Sequence, residues 1–210
     1  WMRELSRALP HYDVSFGIAE GPFEDDNGVS SHFDRKALGD RSRQKQVLST
    51  RVDFHAAVVK LARHAVMQCP KLIVGEGQGG LIAAGYGKPG VLETAMMSRN
   101  VQPEEASEIA AAWGRVSGIV ICGPRMTRAG VFIDKLKEAV PELFGKYPVE
   151  SVKTFAIRIP SDPLYEATKE FEGLAAVPVF QAAGDIPWST LAAEPGHMMW
   201  EHDGRCECGK

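Results

Sequence analysis

Residues 71–85 read KLIVGEGQGGLIAAG, and this stretch restricts the fold more than any other. A short apolar run ends in Gly75-Glu76-Gly77-Gln78-Gly79-Gly80, then continues as small apolar residues. The pattern predicts a buried strand, a sharp turn and a helix lying close on the sheet. Glycine is required where a turn takes positive φ or where two backbones approach closely. A strand that feeds directly into a helix also implies a crossover to a parallel neighbour.

The flanking sequence repeats that alternation. Residues 12–19 (YDVSFGIA) read as a buried strand ending at Gly21-Pro22. Residues 24–50 are polar, carry Arg41-Ser42-Arg43-Gln44-Lys45, and are expected to form a long, mobile surface loop. Asp53 opens a predicted helix over 53–66, with Phe54, Val58, Leu61, Ala62 and Ala65 at helical spacing. Further helices are expected from Leu81, over 91–98, 103–116, 131–144 and 164–174. Strands are expected over 117–122, 152–159 and 177–181. Strands that are apolar throughout point to an α/β domain: a parallel sheet flanked by helices on both faces. The organisation reads as an extension over 1–11, a domain over 12–184 and an irregular C-terminal tail over 185–210.

Composition narrows the function classes. The formal net charge is −3, with both signs interspersed, so no global field favours nucleic acid or an anionic membrane. No apolar run approaches the ~20 residues needed to span a bilayer. The first residues have no signal-peptide core. Opening on Trp1 and closing on Cys206-Glu207-Cys208-Gly209-Lys210, the chain reads as a piece of a longer polypeptide. Cys69 and Cys122 sit beside apolar stretches as free core thiols would, which favours a reducing, intracellular and cytoplasmic setting.

The turn also defines the chemistry to expect. A strand, G-x-S-x-G and a helix make a nucleophile elbow, in which serine sits on a strained bend. Gly75 and Gly79 take the two glycine positions, and Gly77 stands where serine would be. LIVGEGQGG resembles the corresponding turn of the α/β-hydrolases, with Glu76 in a histidine-like position. That resemblance implies an α/β-hydrolase-like fold with the triad acid after a later strand. AIRIPSDPLYE is similar to that acid loop and puts Asp162 at the acid position. The triad histidine should follow the strand at VPVF, where the chain reads Gln181-Ala182-Ala183-Gly184-Asp185 instead; His197 and His202 lie further on. Since a triad acts as a unit, the resemblance implies a catalytically inactive relative with no cofactor.

A second, narrower resemblance rests on GEGQGG, MSRNVQPEEA, AAWG, EAVPELF and the C-terminal CxCGK. Together these are similar to a segment of protist retroelement polyproteins lying upstream of a cysteine-rich zinc-binding stretch. It implies a folded interaction module with an unknown protein partner.

Other readings of the same residues stay open. Gly75-x-Gly77-x-x-Gly80 matches the phosphate-cradling G-x-G-x-x-G, though the acid that follows, Glu93, falls in a helical stretch. Glu76 could act as an unorthodox acid or base, or simply face solvent. Asp162 is also a natural turn residue and helix cap. Gly77, Gln78 and Glu20, beside Gly21-Pro22, are the candidate ligand contacts at the carboxyl end of the strands. His55 and His64 lie nine residues apart on one helix, pointing to different faces, and make a poor metal pair. Cys206 and Cys208 are at most half of a zinc site, so no metal is expected within these residues.

Overall fold

The computed structural model describes residues 19–24, 30–33, 42–122, 133–144, 152–158 and 179–181. Its centre is a four-stranded parallel sheet of β3 (Leu72–Glu76), β4 (Gly118–Cys122), β5 (Thr154–Arg158) and β6 (Val179–Gln181), adjacent in chain order. A separate antiparallel pair joins β1 (Phe23–Glu24) to β2 (Ser30–Ser31). The described helices are α1 (Arg43–Gln68), α2 (Gln78–Gly87), α3 (Pro89–Ser98), α4 (Pro103–Trp113) and α5 (Ile133–Ala139). The α/β reading therefore holds.

Register explains how the sheet is covered. Ile73 aligns with Ile119, and Ile121 with Ala156, so all four share one face and join the main core cluster. The alternate residues Val74, Val120 and Phe155 form the opposite face, with Val120 buried and the other two half-buried. The strand expected at 12–19, all but its last residue, and the helix expected at 164–174 lie outside the described residues.

The long helix α1 departs most from expectation. It begins at Arg43, ten residues before Asp53, so 43–50 belong to a helix rather than a surface loop. Its first three turns lack the apolar period that marks the rest; Leu48 and Val52 are exposed there. Asp53 is an interior helical residue, only 6% exposed, and not the cap. Phe54, Val58, Ala62 and Ala65 do face the core. The helix closes at Cys69, whose φ of 47° and N–H bond to Ala65 O form a left-handed cap before Pro70. Cys69 is disulfide-bonded, which corrects its reading as a free core thiol and removes that support for a reducing compartment.

Each of the other described helices packs on α1. Helix α2 approaches closely, such that a Cβ on Gly85 would stand 2.6 Å from Phe54 Cζ. Helix α4 starts with Pro103, Glu104 and Glu105, as its sequence predicts, and Glu105 pairs with Arg63 of α1 at 2.5 Å. Arg43 likewise pairs with Glu138 of α5. The predicted helix over 131–144 is broken: α5 ends at Ala139, and Pro141–Leu143 form a 3₁₀ turn. Proline cannot donate the next helical hydrogen bond.

Lys88, between α2 and α3, is 3% exposed and donates to Leu143 O at 2.6 Å. Burial pulls its ammonium down to about 8 from 10.5. The unfolded chain therefore binds more protons between those values, and stability should rise with pH across that window. The expected result is a urea midpoint that climbs from pH 8 to 10, with a smaller climb in Lys88→Met. Equal slopes in the two proteins would contradict it.

No described helix is long and apolar enough to cross a membrane.

Candidate functional site

The turn after β3 has the geometry its glycines predict. Gly77 adopts φ 55° and ψ −119°, a conformation of the type II′ turn that side chains disfavour. Gly75 is needed for a different reason. A Cβ there would lie 2.4 Å from Gly79 O, so strand and helix backbones are already in contact. At Gly77 itself, no described atom lies within 4 Å of the position a Cβ would take. Among the described residues, chain neighbours aside, the bend thus presents bare backbone, at the carboxyl end of a parallel strand.

Around it stand three polar groups. Glu76 ends β3 and is exposed. Gln78 opens α2, and its Oε1 accepts the His32 backbone N–H at 3.1 Å and sits 3.1 Å from Ser31 Oγ. That side-chain oxygen ties the turn to β2. His32 is the third: its Nε2 would lie 3.6 Å from a Cβ on Gly79, and its Nδ1 is buried with no hydrogen-bond partner. Burial, and then the Lys60 ammonium, lower its imidazole below the ordinary histidine value of 6.5. Lys60 in turn donates to Gly21 O at 2.8 Å. Gly21 touches Ser31 so closely that a Cβ would come within 2.0 Å of Ser31 O. Glu20 is exposed beside this contact. The 19–22 and 31–33 segments are therefore pinned against the turn.

The first amides of α2 have no side-chain cap, and helix N-termini favour negative charge. The expected ligand contacts Gly77 and Gln78 both belong to this turn, while Asp162, Cys206, Cys208, His197 and His202 lie outside the described residues. Glu93 is exposed on α3 and is not part of this arrangement. Among the described residues no group of three or more His, Cys, Asp or Glu side chains could hold a metal ion. His55 is buried and His64 half-buried.

Sequence reading missed His32, which lies in a stretch with no readable periodicity. It also missed the partners of His55. His55 Nδ1 lies 2.8 Å from Ser98 Oγ, and its Nε2 lies 3.8 Å from Glu142 Oε1. Neither spacing, 43 residues for Ser98 or far beyond one element for Glu142, marks a motif. Compared with known proteins, the chain matches no protein-family model, no curated sequence and no solved structure.

Proposed function

We propose that this chain is an α/β-hydrolase-like module that has lost its nucleophile and serves as a folded interaction unit, within a retroelement-type polyprotein. The observation that carries this reading is Gly77: the bend has nucleophile-turn shape, with a hydrogen where the attacking oxygen would be attached. Covalent catalysis by the ordinary route needs a side-chain nucleophile. The consecutive parallel order β3-β4-β5-β6 also agrees with an acid loop after β5 and a histidine loop after β6.

A nucleotide-binding reading is the second choice. It uses the uncapped N-terminus of α2, but such folds place an acid near the end of the next strand. Here β4 ends on Cys122.

The expected result is buffer-level turnover of p-nitrophenyl acetate by the purified chain. Turnover that disappears in Glu76→Gln and persists in Ser98→Ala would overturn the silent-elbow reading. Replacing Gly77 by serine should cost about 1–2 kcal/mol in urea unfolding, because φ is positive there. It should add no turnover, since, apart from its chain neighbours Glu76 and Gln78, no described group stands within 4 Å of the new Cβ and no described histidine is there to act as base. A gain of activity in Gly77→Ser would show that a working base is still in place.

A further inference from the structure

We infer that Ser98, outside the elbow, is a reactive serine nucleophile, with His55 as its base and Glu142 orienting the imidazole, able to take activated acyl or phosphoryl electrophiles. The three residues come from different elements. His55 projects from α1, Ser98 ends α3 and Glu142 lies in the 3₁₀ turn after α5. Ser98 is exposed, whereas the His55 side chain is 2% and the Glu142 side chain 26% exposed.

Proton bookkeeping sets the direction of the chain. His55 Nε2 and Glu142 Oε1 are both buried and have no hydrogen-bond partner, yet they face each other at 3.8 Å. A neutral imidazole carries one proton. If it sat on Nδ1, the Nε2 lone pair would confront a carboxylate oxygen, leaving two buried acceptors unsatisfied. On Nε2, it points at Glu142 and leaves Nδ1 to accept the Ser98 hydroxyl at 2.8 Å. Ala95 O, at 2.9 Å, is the other acceptor within reach of that hydroxyl. Nucleophile, base and orienting carboxylate then stand in the order that serine activation needs. The 3.8 Å gap is longer than a formed hydrogen bond, as such contacts often are without substrate.

The surroundings keep the base neutral. Burial foremost, then Arg51 of α1 and Arg99 after α3, lower His55 below 6.5, with Glu142 opposing. They also limit the reaction. The N–H groups of Arg99, Asn100 and Val101 are all bonded to carbonyls of α3, so the backbone beside Ser98 offers no oxyanion donor. The electrophile must therefore bring its own activation, and the adduct should persist rather than turn over.

A fluorophosphonate probe fits these demands. Ser98 Oγ bonds to phosphorus, its proton passes to His55 Nδ1, the P–F bond breaks, and fluoride leaves; the proton is then released to water. The intact chain, incubated with the probe at pH 8, should gain a single adduct that peptide mapping places on Ser98. The adduct should vanish in Ser98→Ala. Labelling should slow about 100-fold in His55→Gln and about tenfold in Glu142→Gln, and should fall in wild type as pH drops below 6.5. If His55→Gln does not fold by circular dichroism, the half-exposed Glu142→Gln decides. No adduct at Ser98, or equal rates in folded base variants and wild type, would overturn the inference. Gly77 has no side-chain oxygen to be labelled, so an adduct on Ser98 stands apart from the silent elbow.

Discussion

Alanine at Gly75 should destabilise the chain by about 3 kcal/mol or more. The new Cβ would sit 2.4 Å from Gly79 O, 2.7 Å from its carbonyl carbon and 2.8 Å from Gly80 Cα. All three are backbone atoms, so no rotamer change relieves the clash. Relief requires moving α2 off β3, yet residues Gly80 to Gly87 of α2 are buried and β3 is locked in register with β4. Urea unfolding gives the measurement, with Gly77→Ala as the internal comparison. At Gly77 the described surroundings leave space, and only the positive φ opposes a side chain. A Gly75→Ala loss no greater than that of Gly77→Ala would mean that the strand and helix are not in this contact.

The second large effect concerns Phe54. Its ring is fully buried, packs 6.4 Å from the Phe33 ring and fills the space left by Gly85. Truncation to alanine should cost about 3–5 kcal/mol, combining lost burial with a residual cavity. Gly85→Ala should be destabilising alone, since its Cβ would stand 2.6 Å from Phe54 Cζ and 3.3 Å from Val58 Cγ2. Once the ring is gone, much of that penalty should disappear. A double-mutant cycle is therefore expected to show a coupling of about 1–3 kcal/mol. Additive losses would indicate that α1 and α2 do not meet at this pair.

The same distances show why some of this architecture was readable in the sequence. Ile73, Ile119 and Ile121 sit in short apolar runs between turn residues, so local composition alone marks their strands. The glycines of the turn were equally legible, because close approach and positive φ each exclude a side chain. The start of α1 was not. Residues 43–52 have no continuous apolar face, and what holds them is tertiary: Arg43 reaches Glu138, and Lys135 reaches Gln46. The break before Pro141 is marked only by the proline itself, inside an apolar pattern that runs on to Phe144. At the site, the bare backbone of the bend could be read directly from Gly77. The placement of His32 against Gly79, and of Ser98 and Glu142 about His55, depends on elements far apart in sequence. No local spacing encodes such meetings.

Because α2, α3, α4 and α5 all lean on α1, the described helices are braced in parallel by a single rod, not stacked in series. Opening one outer helix leaves the others supported, whereas melting the rod removes a support that all of them share. Partial openings of the domain should accordingly spare the buried middle of α1, whose amides would exchange with solvent only through global unfolding.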